Sequence, residues 1–275
     1  MEFLEDCKED GGLRKKGIIK KSTKDKPLIT IITAAFNSEK YLEECINSLY
    51  NQEYTNYEHI IIDGGSTDQS LNIIKKYNDK IDYWSTKPDK GIYDAFNIGM
   101  KLSKGDYIGF LNSDDKYTEK AFSILHKYIL KFPEKDFIFG SVKKHWGILY
   151  GYKPYKIYWS WGFYSSHSTG FFIKKQASEK VGLYNLKYKY SSDYDYFYRM
   201  IVKNKLKGVG TKKEELFGIF RRGGFSSSVK FLDHFKEEIQ IRIDNKQNKL
   251  LVLFIIIYKT LRHLNKILKD LKWKI

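Results

Sequence analysis

Apolar residues in this chain fall into short continuous runs separated by stretches with helical spacing. Leu28-Ile29-Thr30-Ile31-Ile32-Thr33 is too continuous for a strand with one wet face, so it reads as a strand buried on both sides. Tyr41, Leu42, Cys45, Ile46, Leu49 and Tyr50 then recur on one face of a helix, with Asn37 or Ser38 placed to cap it. Ile60-Ile61-Ile62 predicts a second buried strand. Asp63-Gly64-Gly65-Ser66-Thr67-Asp68 follows as a turn that opens a helix to about Tyr77. The pattern continues with a short strand near 83–85, a helix over 91–103 and a strand over 107–111 that ends in Asn112-Ser113-Asp114-Asp115. A helix over 118–131 and a strand over 137–140 come next.

Alternation over residues 28–140 predicts an α/β unit built on a mostly parallel sheet. Residues 141–225 are less regular and rich in aromatics, with a helix expected over 193–203. From Ser226 the chain reads as helical. Residues 1–26 are polar, with little to bury, and are expected to be a poorly ordered lead. The division expected is therefore a lead over 1–26, one large domain over 27–226 and a helical extension over 227–275.

Composition narrows the function classes. Of 275 residues, 49 are Lys or Arg and 33 are Asp or Glu, so the net charge is 49 − 33 = +16. The hydrophobic fraction of 42% can fill a core, which argues against wholesale disorder. Two cysteines, Cys7 and Cys45, cannot build a disulfide scaffold or a four-thiolate zinc site, which fits a reducing compartment. The start of the chain lacks the basic and apolar regions of a signal peptide, and the longest apolar run, Leu250 to Tyr258, is short of the ~20 residues that span a bilayer. A cytoplasmic location is expected.

Polar residues gather after the strands, where ligands of open α/β sheets bind. Thr33 to Asn37 follows the first strand, Asp63 and Asp68 the second, Thr86 to Gly91 the third, and Asp114-Asp115 the fourth. A lone Asp there, such as Asp68, is usually a helix cap. Adjacent acids repel unless a cation lies between them. Hard divalent ions such as Mg²⁺ or Mn²⁺ take oxygen ligands of this kind and also hold substrate phosphates. The site reads as one for a metal and a nucleotide diphosphate. No G-x-G-x-x-G follows a strand and no G-x-x-x-x-G-K-[ST] occurs, which disfavours a Rossmann oxidoreductase and a P-loop ATPase.

These segments carry a resemblance. Thr33–Asn37, Ile62–Asp68, Asp89-Lys-Gly-Ile-Tyr-Asp-Ala-Phe-Asn97 and Gly105–Asp115 resemble the motifs of family 2 glycosyltransferases, in particular bacterial enzymes of the colanic-acid type that build surface polysaccharides. His167-Ser-Thr-Gly-Phe-Phe172 and Ser192-Asp-Tyr-Asp-Tyr-Phe-Tyr-Arg199 resemble the acceptor-side motifs. The resemblance covers roughly residues 27–226. It implies a GT-A fold, a UDP- or GDP-linked sugar donor, a Mn²⁺ or Mg²⁺ cofactor and a hexosyltransferase that inverts the anomeric centre.

Residue by residue, the resemblance places Asp63 on the base or ribose of the nucleotide. Thr33, Ala35 and Asn37 lie along the nucleotide, Asp89 in the donor site, Asp114 on the ribose or metal side and Asp115 on the metal. Asp193 matches the catalytic base. Asp195 supports its helix or binds acceptor, and His167 is either structural or in contact with acceptor or diphosphate. Arg221 and Arg222 belong to a segment near the donor diphosphate, or to a solvated loop. The chain departs from the family at three points: Asn112 stands where the first acid of the metal motif is expected, Phe96 where many relatives carry Arg, and Ser192 where Glu precedes the base. A diphosphate contact would then be absent or come from a Lys elsewhere. Tyr155, Tyr158, Trp159, Trp161 and Phe163 are either an apolar wall for a sugar ring or core.

The C-terminal stretch adds a separate feature. Leu250, Phe254, Ile257, Leu261, Leu264, Leu268 and Leu271 repeat in heptads, and residues 249–275 net 7 − 1 = +6. Such a basic amphipathic helix suits an anionic membrane surface, packing on its own domain, or a homodimer. The reading that unites these features is a transferase at the inner membrane face acting on a lipid-linked saccharide. A metal-dependent nucleotidyltransferase and a basic nucleic-acid-binding protein are the alternatives; the acid-rich site argues against nucleic acid.

Overall fold

The computed structural model describes residues 8–159, 168–222 and 229–272. Its spine is an eight-stranded mixed sheet. In chain order the strands are β1 (Glu9–Gly11), β2 (Ile29–Ala35), β3 (Tyr57–Asp63), β4 (Tyr83–Thr86), β5 (Tyr107–Asn112), β7 (Phe137–Phe139), β10 (Phe171–Lys174) and β11 (Gly208–Gly210). They lie side by side in the order β1-β4-β3-β2-β5-β10-β7-β11. The pairs β4-β3, β3-β2, β2-β5 and β7-β11 are parallel, while β10 runs antiparallel to both β5 and β7. A smaller sheet of β6 (Lys116–Tyr117), β8 (Ser141–Lys144), β9 (Gly147–Leu149) and β12 (Leu216–Ile219) pairs in the order β6-β12-β8-β9.

Both faces of the large sheet are covered, which explains the unbroken apolar runs. Ile32, Ile60, Ile62, Ile108 and Phe110 pack against α3 (Ile92–Leu102) and α6 (Ser192–Tyr198). Ile29, Ile31 and Leu111 pack on the other face with α1 (Leu42–Tyr50) and α4 (Ala121–Lys131). Each Ile so enclosed contributes roughly 1.5–3 kcal/mol. Helix α3 comes close enough to β2 that a Cβ on Gly99 would lie 2.2 Å from Ile32 Cγ2, so glycine is required there. Helices α2 (Ser70–Lys76) and α5 (Lys175–Val181) complete the α/β part, and α7 (Phe231–Asp244), α8 (Lys249–Arg262) and α9 (Leu264–Lys272) follow. No helix among the described residues is long and apolar enough to cross a membrane.

Four expectations change. Residues 8–26 are not a loose lead: β1 pairs with β4, and Arg14 forms a 2.5 Å ion pair with the buried Glu58. Neither Asn37 nor Ser38 caps α1 with its side chain. Asn37 sits at φ +46°, with its Oδ1 accepting the Thr67 N–H at 2.9 Å, and the Ser38 side chain turns to Ser113. The C-terminal heptad is divided between two helices that break at His263. Its stripe is exposed, from 46% at Leu264 to 78% at Leu250, while Val252 and Ile255 are the buried residues of α8. Tyr155, Tyr158 and Trp159 are also exposed, and Ile157 is the buried residue of that turn. Trp161 and Phe163 lie outside the described residues.

Candidate active site

A cavity of about 1200 Å³ opens at the carboxyl ends of β2, β3 and β5 and runs to the C-terminal helices. Part of its wall is made by Ala35, Asn37, Gly64, Asp89 and Asp114, at the strand ends, in the loops that follow them and in the turn before α3. The lining also includes Tyr93, Lys144, Tyr190, Asp193, His234 and Lys259. Strand geometry accounts for the first group, because parallel strands deliver their following loops to one edge.

Asp63 and Thr33 lie behind that wall. Asp63 is fully buried at the end of β3 and ties its own loop down. Its Oδ2 accepts from Thr86 Oγ1 at 2.5 Å and from the Ser66 N–H at 3.0 Å, and its Oδ1 accepts from Ser66 Oγ at 2.5 Å. Thr33 Oγ1 meets His59 Nε2 at 2.9 Å, deep in the sheet. Asp68 accepts the Ser70 N–H at 2.9 Å and, from the neighbouring loop, the Glu39 N–H at 3.0 Å, while the N-cap of α2 is Gln69. Asp89 Oδ1 accepts the Gly91 N–H at 2.8 Å, and burial pushes its carboxyl up to about 6.

The adjacent acids stand differently. Asp115 is buried, with Oδ1 accepting the Arg221 N–H at 3.0 Å and Oδ2 accepting Thr169 Oγ1 at 2.9 Å and Asn112 Nδ2 at 3.3 Å. Desolvation and then the Asp114 charge raise it to about 7. Asp114 faces the cavity and is itself raised by burial. Asn112 Oδ1 is buried with no hydrogen-bond partner among the described residues. Two adjacent carboxylates, both raised by burial, and one spare amide oxygen, at the end of a single strand, form a donor set that fits a hard divalent cation. No group of three His, Cys, Asp or Glu side chains that could hold a metal occurs among the described residues. Further ligands would have to come from phosphate and water.

Asp193 lies half-buried in the first turn of α6. Its Oδ1 accepts the Tyr194 N–H at 2.8 Å and faces the Tyr93 hydroxyl at 3.3 Å. Burial raises it to about 6, against the lowering influence of these bonds and of the Lys144 charge. Lys144 lies 4.1 Å above the Phe220 ring, and burial lowers its ammonium pKa. Asp195 does not reach the cavity: Arg199 Nε donates to it at 2.8 Å and Asn245 Nδ2 at 2.8 Å, so it braces α6. Arg221 donates from Nε to the Asp114 carbonyl at 3.0 Å, pairs with Glu44 and stacks 4.1 Å over Tyr41. It frames the acid pair. Arg222 is exposed. His167 and residues 223–226 lie outside the described residues. Phe96 packs in the core against Phe110.

The sequence reading missed Tyr93, Lys144, His234 and Lys259. Tyr93 lies inside the Asp89–Asn97 segment and could have been found there. The other three have no local signal, because only the fold brings them to the cavity.

The chain matches Glycosyl transferase family 2 over residues 30–200 and belongs to that family. An uncharacterized glycosyltransferase of Rickettsia typhi is 30% identical over 188 residues, covering 64% of this chain and 59% of that protein. One from Haemophilus influenzae is 47% identical over 92 residues, 32% of this chain and 37% of that one. Chondroitin synthase of Escherichia coli is 41% identical over 106 residues, 37% of this chain and 15% of the enzyme. The chain thus spans under two thirds of the length of these relatives. Among solved structures, S. aureus TarS in complex with UDP-GlcNAc superposes with a TM-score of 0.62 at 18% identity, over 86% of this chain and 72% of that one. A mannosyltransferase from Pyrobaculum calidifontis, in complex with GDP-Man and Mn²⁺, gives 0.61 at 13% identity, over 90% and 70%. The fold is GT-A, and the family match covers the part of the chain that carries most of the large sheet and Asp193.

Proposed function

We propose that the protein is an inverting glycosyltransferase that moves a sugar from a UDP- or GDP-linked donor to a hydroxyl of a lipid-linked saccharide in surface glycan assembly. The observation that carries the reading is Asp193, a carboxylate that lines the same cavity as Asp114. Such a base takes the proton from the acceptor hydroxyl as its oxygen bonds to the anomeric carbon, while the bond from that carbon to the diphosphate breaks. A single displacement of this kind inverts the centre and needs no carboxylate intermediate. Tyr93 holds the base in place, and Lys144 offers its charge to the departing diphosphate in the role that Phe96 cannot fill. Thr33, Ala35, Asn37, Asp63, Asp89 and Asp114 shape the donor site, with Thr33 and Asp63 acting from behind its wall. Asp115, Asp114 and Asn112 are the residues that would hold Mn²⁺ or Mg²⁺, which when bound neutralises charge growing on the diphosphate.

The exposed stripe on α8 and α9, with its basic neighbours, fits an anionic membrane surface, where each nearby cation adds roughly 1 kcal/mol. That placement brings the cavity to lipid-linked acceptors. The test is a thermal-shift screen of sugar nucleotides with and without Mn²⁺, followed by turnover. Asp193→Asn keeps the donor-induced shift and loses turnover by about 10²–10⁴-fold. Full turnover by that variant refutes the base assignment.

A further inference from the structure

Helix α7 lies beyond the residues matched to the family, yet it is bonded all along the loop that leads into the Asp193 helix. The Glu237 carboxylate accepts three consecutive backbone N–H groups: Oε1 from Lys189 at 2.7 Å, and Oε2 from Tyr190 at 2.7 Å and Ser191 at 2.9 Å. His234 Nδ1 lies 3.2 Å from Ser191 Oγ. Asp244 Oδ2 accepts from Lys187 Nζ and from the Tyr188 hydroxyl, each at 2.5 Å. At the end of the helix, Asn245 reaches Asp195. Residues 188–191 all line the cavity beside Asp193.

A segment outside helix and strand normally satisfies its N–H groups with water and keeps its freedom. Three successive charge-assisted bonds to one carboxylate remove that freedom. They fix the Tyr190 carbonyl, which lies 3.4 Å from the Tyr93 hydroxyl, and the same hydroxyl lies 3.3 Å from Asp193 Oδ1. The path from α7 to the reacting carboxylate is therefore short: Glu237, the 189–191 backbone, Tyr93, Asp193.

We propose that Glu237 is a positioning residue for sugar transfer, aiming Asp193 and shaping the acceptor end of the cavity, so that the C-terminal helices are part of the acceptor site. This rests on the reading of Asp193 as the base. Misplacement of a catalytic group by about 1 Å can cost 10²-fold in rate.

The test uses the full chain. It follows release of nucleoside diphosphate from whichever of UDP-GlcNAc and GDP-mannose stabilises the protein, with water as acceptor where no saccharide serves. Glu237→Ala is expected to lower kcat by about 10–100-fold and leave the donor Kd within about twofold. Glu237→Gln, which keeps one carbonyl oxygen for the loop, recovers part of the loss. In an Asp193→Asn background, Glu237→Ala costs less than about threefold more, because the two act through one group. Unchanged kcat in Glu237→Ala overturns the proposal, as does an equal drop in both backgrounds or a parallel loss of donor binding. Where Glu237→Ala does not fold, Glu237→Gln is held to the same split between kcat and donor Kd. Full turnover by Asp193→Asn alone brings down the base assignment and this proposal with it, whereas an inactive Asp193→Asn with an unaffected Glu237→Ala refutes the positioning role alone.

Discussion

Replacing Asp115 with Asn should stabilise the metal-free protein while disabling it. Asp115 is 1% exposed, and its carboxyl is pushed up to about 7 from the ordinary value near 4. A folded-state value above the unfolded one means that the ionised acid is disfavoured in the fold. The penalty is complete above about pH 7 and fades as the pH falls toward 4. About three pH units at 1.4 kcal/mol each give a penalty of about 4 kcal/mol at pH 8, part of which belongs to the coupled pair with Asp114. The amide keeps an oxygen for the Arg221 N–H. The Thr169 hydroxyl can turn to accept, and the Asn112 amide can turn its spare Oδ1 inward. Lost hydrogen bonding then costs about 1 kcal/mol. The net gain is about 2–3 kcal/mol, or a rise in Tm of about 5–10 °C for a chain of this size. At pH 5 the gain falls below about 1 kcal/mol. Calorimetry in chelator at pH 8 and pH 5 measures both, and a titration with sugar nucleotide and Mn²⁺ should show no added stabilisation of the variant. A lowered Tm at pH 8, or a gain independent of pH, refutes the reasoning.

Three further outcomes are expected. Asp193, raised to about 6 and faced by Tyr93, Lys144 and Tyr184, must be ionised to act, so kcat/KM should fall about tenfold per pH unit below that value. A flat profile down to pH 5 would assign the proton to another group. Lys144→Gln should raise the donor KM by about tenfold, the worth of one cation on a partly buried phosphate; equal donor affinity in the two proteins would remove Lys144 from the site. Changing Leu250, Ile257 and Leu261 together to Ser should abolish sedimentation with anionic vesicles without unfolding the chain, because these three are exposed while Val252 and Ile255 are the buried residues of α8. Unchanged sedimentation would reject the membrane placement, and a fall in mass from dimer to monomer would assign the stripe to self-association.

The parallel strands were legible because β2, β3 and β5 are buried on both faces and so write themselves as unbroken apolar runs. The acids at their ends were legible for the same topological reason. β1 was not, since Glu9-Asp10-Gly11 has no apolar pattern and is held through its backbone. Glu237, His234 and Lys259 looked like ordinary polar residues of a surface helix, and their roles exist only once α7 and α8 are folded against residues some 50 positions earlier. The C-terminal heptad misled in a specific way. Its leucines are periodic, but the buried face of α8 is the one bearing Val252, Ile255 and Lys259.

The ends of the large sheet have a consequence for how the protein behaves in a crowded solution. An open sheet of eight strands has two borders at which another molecule could add a strand and begin a fibre. Here one border is β1, three residues long, which offers few backbone groups to recruit a neighbour. The other is β11, where the chain at Gly151 and Tyr152 lies so close to Gly210 that even a methyl group would not fit between them. A short strand and a covering loop thus leave each border of a wide sheet little to which a further strand could add.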